Sequence, residues 1–223
     1  MRSSIVALGL IALALACASP ASQPRSVEPS GFLGDYSQLK EGEKGEALLV
    51  YRNPSANFAS YDKVVLEPVT VWASKKVEVP EDELQGLVDY LDSAVRNALG
   101  ADYQIVDRAG PGTLRLRIAL TEATDANAVM GTVSTIVPQA RLLSEAKRVA
   151  TGTAGFVGTA GIEGEATDSL TGERVFAAVD RRAGGKSVSG ATQSWKDVKD
   201  AFDFWAGKLK ERLAAERAKG AAS

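Results

Sequence analysis

Two stretches of the chain repeat apolar residues at intervals of three and four positions, which is the spacing of an amphipathic helix. The first spans 81–99 and opens with the acidic turn Glu81-Asp82-Glu83, which suits a helix N-terminus. The second spans 194–213, and the stripe is lost beyond it, so we expect residues 217–223 to fray. The stripe residues are Leu84, Leu87, Val88, Leu91, Ala94, Val95 and Leu99 in the first helix and Trp195, Val198, Phe202, Trp205, Leu209 and Leu213 in the second.

A second pattern, alternation of apolar and polar residues, predicts β-strands. Residues 113–121 alternate cleanly, as a half-buried strand does. The β-branched stretch 63–72 predicts a strand that Pro68 either interrupts or places at an edge. Shorter runs predict strands at 47–51, 103–107, 156–166 and 174–179, the last two forming a hairpin around the turn 168–173. These elements predict an α/β (α+β) fold: a two-layer sandwich of a mixed, mainly antiparallel sheet of about five or six strands, with two main helices on one face.

Glycine recurs at every third position from Gly152 to Gly164. The triplets lack the proline of collagen, and the G-x-G of a dinucleotide loop is missing. We interpret the segment as a glycine-rich strand that curves or that another element crosses closely. Glu163 and Glu165 lie two positions apart on this strand, and we expect them to share its solvent face.

The N-terminus has the pattern of a secretory signal. Arg2 precedes an apolar run over 5–17, which is too short to span a bilayer comfortably. The segment Ala14-Leu15-Ala16-Cys17 resembles the lipobox of bacterial lipoproteins, whose cysteine is acylated, for example with palmitate, and becomes the first residue after cleavage. The alternative is an ordinary signal peptide that is cut near Ala16 or Ala18, with Cys17 incidental. Because Ala18 is not Asp, the lipoprotein sorting rules favour the outer membrane, with the domain facing the periplasm.

The composition shifts along the chain divide it into four parts. Residues 1–16 are the predicted lipoprotein signal peptide, and the Ser-, Pro- and Ala-rich residues 17–29 are a lipidated tether. Residues 30–216 form a single domain and residues 217–223 a tail. The short apolar runs of 30–39 are bounded by Gly and Asp, which indicates an ordered segment laid on the surface of the domain.

The inventory of residue types excludes several kinds of chemistry. With no histidine and one cysteine, the chain cannot build a Ser-His-Asp triad, a Cys-His dyad, an imidazole metal site or an intrachain disulfide. The formal net charge of −2 argues against nucleic acid as a partner. Gly184-Gly185-Lys186-Ser187 is similar to the end of a phosphate-binding loop, but the first glycine of that motif is replaced by Asp180. We therefore expect no cofactor and no metal, although a calcium site built from oxygen ligands alone is not excluded.

Acidic pairs and one apolar stretch are the remaining candidates for a site. Asp35 with Asp62, or Glu163 with Glu165, could serve as an acid and a base, but such pairs arise by chance among 28 acidic residues. The stretch 129–137 is apolar and is either core or an exposed partner surface. The candidate partner-surface residues are Val129, Met130, Val133, Ile136 and Val137.

Four segments together resemble a known family of bacterial lipoproteins, the DUF3313 domain. They are Ser30-Gly31-Phe32-Leu33-Gly34-Asp35-Tyr36-Ser37, Tyr61-Asp62-Lys63-Val64, Val179-Asp180-Arg181-Arg182 and the stretch from Trp195 to Trp205. The first of these is the distinctive one. The resemblance runs from about Ser30 to about Leu213 and implies a location and a fold, because the family carries no known catalytic residues to transfer.

These observations predict a non-enzymatic envelope lipoprotein, anchored in the membrane through Cys17, that binds a protein or another envelope component. Two alternatives stay open. A periplasmic carrier of a small ligand or lipid requires an enclosed apolar cavity between the helices and the sheet. A carboxylate-dependent periplasmic hydrolase requires a cleft with convergent acidic residues.

Overall fold

A computed structural model of the chain describes residue 23 and residues 27–72, 79–124, 158–183 and 195–221. Within these ranges the elements follow a simple order. The strands are β1 (Lys40–Glu41), β2 (Leu49–Arg52), β3 (Lys63–Leu66), β4 (Thr70–Val71), β5 (Gln104–Ile105), β6 (Thr113–Thr124), β7 (Thr159–Asp168) and β8 (Arg174–Ala183), and the helices are a short 3₁₀ turn (Phe58–Ser60), α1 (Glu81–Leu99) and α2 (Lys196–Ala221).

The described strands form one eight-stranded sheet in the order β1-β2-β8-β7-β6-β3-β5, with β4 also paired to β6. β3 and β4 run parallel to β6, and β3 runs parallel to β5, whereas the other pairs are antiparallel. The predicted α+β class and mixed sheet are confirmed, with more strands than the five or six predicted. Pro68 divides one predicted strand into β3 and β4, and the short edge strand Lys40–Glu41 is too polar to be recognised from its pattern.

Both helices pack on one face of the sheet, as predicted. Leu87, Leu91, Val95 and Leu99 of α1 are buried, and Phe202 of α2 is fully buried between the layers. α1 has the predicted bounds, but α2 continues to Ala221, well beyond the end of its apolar stripe.

Polar contacts explain why α2 is longer than its apolar stripe. The Arg217 guanidinium lies 5.0 Å from the centre of the Tyr103 ring and donates a 3.0 Å hydrogen bond to the Asp102 carbonyl. Glu216 approaches Arg52 of β2 at 3.7 Å. These contacts hold the last turns against the domain without the hydrophobic spacing that a sequence pattern detects.

The opposite face of the sheet is covered by residues 30–39, here called the strap. Phe32 and Leu33 of the strap are buried against Ala119 of β6 and Ala177 and Val179 of β8. The strap therefore gives the sheet a second, smaller apolar layer, and the prediction of an ordered segment on the domain surface is confirmed.

Gly161 shows what the glycine repeat does within the described residues. The pairing of β6 with β7 shifts register between Leu120 and Glu122, opposite Gly161. A Cβ at Gly161 would lie 2.9 Å from Thr121 Oγ1 and 3.1 Å from Glu122 Cβ. This position needs glycine because the bulged neighbouring strand passes too closely for a side chain.

Each helix in the described part of the chain is too short or too polar to cross a bilayer.

Candidate functional site

A cavity of about 110 Å³ lies between α2 and the helix-facing side of the sheet. Its walls are almost entirely apolar, and several of the wall side chains are only half-buried because they border this space. The apolar wall residues are Ala47, Val50, Val95, Leu116, Ile118, Ile162, Gly164, Phe176, Ala178, Phe204, Trp205 and Leu209.

The cavity exists because two small residues meet under α2. Gly164 of β7 and Ala178 of β8 are direct partners across the two strands. A Cβ at Gly164 would meet its nearest neighbour, the Arg117 carbonyl, at 3.4 Å, which is an ordinary van der Waals distance. Packing alone therefore does not require glycine here, and the pair leaves a gap that larger side chains would fill.

Charged residues form the rim of this cavity. Glu46 accepts a hydrogen bond from Arg52 of β2 and pairs with Arg212 of α2 at 3.0 Å. Burial by itself would raise the pKa of Glu46, but the Glu43 backbone N–H and the Arg52 guanidinium outweigh it and hold that pKa below its ordinary value. The ionised Glu46 carboxylate thus ties α2 to the edge of the sheet beside the cavity.

Asp180 is a buried carboxylate in the cavity wall, and it is fully supplied with donors. Its oxygens accept hydrogen bonds from the Trp205 indole and the Gln23 amide, each at 2.7 Å, and from the Leu48 N–H at 3.3 Å. Arg182 lies 3.4 Å away and stacks on the Phe204 ring. A carboxylate so surrounded stabilises the fold by joining α2, the sheet and the N-terminal segment.

On the opposite face of the sheet, Glu165 is buried between two arginines. It accepts 2.8 Å hydrogen bonds from Arg117 of β6 and from Arg174 of β8. Arg174 also donates to the carbonyls of Leu33 and Asp35 in the strap, each at 2.8 Å. The ion pairs therefore fasten the strap to the sheet.

Glu163 holds the strap at a second point. It accepts a 2.6 Å hydrogen bond from the Ser30 N–H and a 2.5 Å bond from the Tyr36 hydroxyl. That hydroxyl in turn accepts bonds from the backbone N–H groups of Gly31 and Leu33. Burial, together with the bond to Glu163, raises the pKa of Tyr36 above its ordinary value, so the phenol stays protonated as the donor.

The prediction that Glu163 and Glu165 share a solvent face is therefore wrong in one respect. They do share a face, but only 1% of Glu163 and 5% of Glu165 is exposed. The strap covers that face, and its backbone and tyrosine donors, with the two arginines, compensate the buried charges. Sequence spacing gave the shared face correctly but could not show what lies on it.

The other predicted acidic pair is not brought together. Asp35 lies in the strap, whereas Asp62 precedes β3 and pairs with Lys63 at 2.8 Å. A bond from the Ser37 backbone lowers the pKa of Asp35, and a bond from Lys63 lowers that of Asp62. Both carboxyls are therefore ionised at neutral pH, which does not suit a general acid.

Several predicted residues lie outside the described ranges, including Cys17, the glycine-lysine-serine stretch 184–187 and Ser194. The five candidate partner-surface residues, Val129, Met130, Val133, Ile136 and Val137, lie outside them as well. Among the residues that are described, no group of His, Cys, Asp and Glu could hold a metal ion.

The cavity is the feature that sequence reasoning missed. A signal for it existed, since the helix-facing positions of β7 and β8 include Ala160, Gly164, Ala166 and Ala178. A face built from such small residues cannot fill the space under a helix, unless the helix packs unusually close to the sheet. The direct pairing of Gly164 with Ala178, however, depends on a register that the sequence does not display.

Comparison with known proteins places the chain in a family. The model of DUF3313, described as a protein of unknown function, matches residues 28–209. The uncharacterized lipoprotein YdcL of Escherichia coli K12 is 30% identical over 201 residues, which cover 87% of this chain and 88% of YdcL.

Solved structures show weaker likenesses. A PelC dodecamer from Paraburkholderia phytofirmans has a TM-score of 0.41 at 18% identity, covering 74% of this chain and 93% of PelC. A hypothetical protein from Chlamydia trachomatis has a TM-score of 0.35 at 7% identity, covering 72% of this chain and 98% of its own. The family match over most of the sequence, joined to the lipoprotein relative, shows that the chain belongs to the DUF3313 family.

Proposed function

We propose that the protein is a non-enzymatic envelope lipoprotein, anchored by an acylated Cys17 in the outer membrane, whose periplasmic domain binds a protein or another envelope component. The lipoprotein relative and the lipobox-like Ala14-Leu15-Ala16-Cys17 support the anchor. Two acyl chains or more give stable attachment where one chain gives only marginal binding.

One structural observation carries the proposal furthest: the chain is already bound to the domain shortly after the predicted anchor. Gln23, six residues after Cys17, donates hydrogen bonds to Asp180 and to the Glu46 carbonyl. Six residues span at most about 20 Å even when fully extended. An acylated Cys17 would therefore hold this face of the domain close to the membrane surface, and the Gln23–Asp180 hydrogen bond would join the attachment directly to β8.

The anchor is tested by cell fractionation of a Cys17→Ser variant beside the wild type. We expect the wild-type protein in the outer-membrane fraction and the variant in the soluble periplasm, with both giving the same thermal unfolding midpoint after purification. Retention of the variant in the membrane would contradict anchoring through Cys17.

For the partner surface we propose the apolar residues Val129, Met130, Val133, Ile136 and Val137. A photo-crosslinking amino acid at Val133 should yield a discrete adduct in the envelope, whereas the same amino acid at Lys199, a charged position on α2, should not. Equal yields at the two positions would contradict a partner surface at 129–137.

A second candidate function is a carrier of a small apolar ligand. The cavity between α2 and the sheet supports it, because ligand sites are typically concave, mostly apolar and bordered by a few polar groups. Binding of benzene by the purified domain, followed by calorimetry, tests whether the cavity accepts any apolar ligand at all.

A further inference from the structure

We propose that the cavity under α2 binds the methyl end of a single acyl chain, with the polar end of that chain left outside at the rim. This inference rests on the second candidate function and names its ligand class. It does not depend on whether Cys17 is acylated.

The side chains that line the cavity favour a hydrocarbon ligand. The walls are built mainly from aliphatic and aromatic side chains. Of the carboxylates that line the cavity, Asp180 accepts hydrogen bonds from Trp205, Gln23 and Leu48, and Glu46 and Glu165 are each paired with two arginines. A polar group entering between the apolar walls would lose its water and gain few hydrogen bonds in return. An alkyl group, in contrast, is favoured there because it leaves water and meets a dry apolar surface.

The volume of the cavity admits only the end of an acyl chain. Engineered apolar cavities of about 150 Å³ stay dry and bind benzene. A volume of about 110 Å³ therefore holds a few carbon atoms and excludes a complete lipid. The rest of the chain and its head group must lie at or beyond the rim.

The rim offers cations to that head group. Lys208 and Arg212 of α2 line the cavity, and their side chains are 39% and 38% exposed. Arg212 is paired with the buried Glu46, whereas Lys208 pairs with Glu211, whose side chain is 66% exposed. Exposed pairs of this kind contribute little, so Lys208 can turn to a carboxylate at the rim.

The hydrocarbon has two sources that share this chemistry. Gln23 donates a hydrogen bond to the Glu46 carbonyl at the rim, so residue 23, six positions after Cys17, lies beside the cavity. An acyl chain on Cys17 could therefore enter the cavity of its own molecule. A free fatty acid or a membrane lipid could equally supply the chain end.

The direct test is titration of decanoate, near neutral pH, into the full mature chain carrying Cys17→Ser. We expect saturable binding, with nuclear Overhauser contacts from the decanoate methyl group to Ala178 and Phe204. Ala178→Leu should weaken binding about tenfold or more, since about two methylene groups can no longer be buried. Ala215→Leu, the same substitution at an exposed position of α2 outside the cavity, is the control and should bind as the parent does.

A second substitution protects the test against misfolding. Gly164→Ala adds one methyl group to the wall at ordinary contact distances. The variant should therefore fold and should still bind decanoate more weakly than the parent does. Lys208→Gln should lower the affinity for decanoate about threefold, which is the usual effect of losing an exposed ion pair, and should leave the affinity for benzene unchanged. Lys210→Gln, which removes a cation facing Asp102 instead, is its control.

Absence of saturable decanoate binding, or equal affinity in Ala178→Leu, Gly164→Ala and the parent, would overturn the proposal. If the protein binds benzene but does not bind decanoate, the acyl-chain assignment is overturned and the small-ligand carrier stays in place. The lipidated wild type in detergent then separates the sources. Weaker decanoate binding than in Cys17→Ser assigns the cavity to the protein's own anchor, and equal binding assigns it to an external chain.

Discussion

Tyr36 is one of the residues that attach the strap to the sheet. Its hydroxyl accepts hydrogen bonds from two backbone N–H groups of the strap and donates one to Glu163, so a single oxygen joins the strap to β7. Both Tyr36 and Ser30, the other donor to Glu163, belong to the distinctive segment through which the sequence resembles its family. That segment therefore has a structural role on the second face of the sheet.

Tyr36→Phe should destabilise the domain by about 2 kcal/mol, because Glu163 and two N–H groups each lose a hydrogen-bond partner. Urea unfolding measures the change, and amide hydrogen exchange should rise first in residues 30–39. Tyr51→Phe is a suitable control, since the Tyr51 hydroxyl makes no hydrogen bond within the described part of the chain. An equal effect of the two substitutions would contradict this role of Tyr36.

Tyr61, in the second family-like segment, gives a pH prediction. Burial, assisted by a 3.1 Å hydrogen bond to Asp168, raises the pKa of Tyr61 to about 12. In the unfolded chain a tyrosine titrates near pH 10, as unperturbed phenols do. Tyr61 therefore keeps its proton to a higher pH in the folded protein than in the unfolded chain. The stability that this difference contributes is complete below about pH 10 and is lost as the pH rises toward about 12.

Urea unfolding of the wild type and of Tyr61→Phe across this alkaline range measures that loss. The wild type should lose stability with rising pH more steeply than the variant does. Parallel curves would show that Tyr61 does not carry the dependence.

At the scale of elements, the glycines of the chain have different roles that their regular spacing conceals. Gly161 makes room for the β6 bulge, whereas Gly164 leaves the cavity under α2. Gly207 lies in α2, and apart from the neighbouring helix backbone no atom comes within 4 Å of where its Cβ would be. Only the surroundings of each glycine distinguish these roles.

Gly161→Ala and Gly207→Ala should therefore act in opposite directions on the free energy of unfolding. The first places a Cβ against Thr121 and Glu122 and should destabilise by about 1–3 kcal/mol, the usual cost of overpacking. The second should stabilise by about 1 kcal/mol, because alanine is the better helix former. Chemical denaturation decides, and the same sign for both would contradict the packing described here.

The elements themselves were largely predictable. α1 and the β7–β8 hairpin follow directly from periodicity and turn residues, and Pro68 gives the break between β3 and β4. The length of α2 was not predictable, because its last turns are held by Arg217 and Glu216 and not by apolar spacing. The burial of Glu163 and the cavity beside Gly164 were not predictable either, since both depend on which segments the fold brings together across the sheet.

At the scale of the whole molecule, each face of the sheet is packed against a different layer. α1 and α2 bury the larger core, and the strap buries the smaller one and continues toward the predicted membrane anchor. Gln23 meets the helix side of this arrangement at Asp180, whose other oxygen binds Trp205 of α2. The N-terminal segment therefore contacts both layers, which suits a domain held near a surface by a short link.

Trp205→Phe tests this connection, because it removes the indole donor from the buried Asp180. We expect a loss of about 1–3 kcal/mol in the free energy of unfolding, the cost of leaving a buried acceptor short of one donor. Trp72→Phe, at a half-exposed position, should have a much smaller effect. Equal losses would show that the Asp180–Trp205 bond does not hold α2 to the sheet.

An intact mass of the protein purified from native membranes tests whether Cys17 carries the anchor. The mass should equal that of residues 17–223 plus acyl chains, and a Cys17→Ser variant expressed in the same way should carry no lipid. A wild-type mass without lipid, in protein recovered from the soluble periplasm, would contradict the claim.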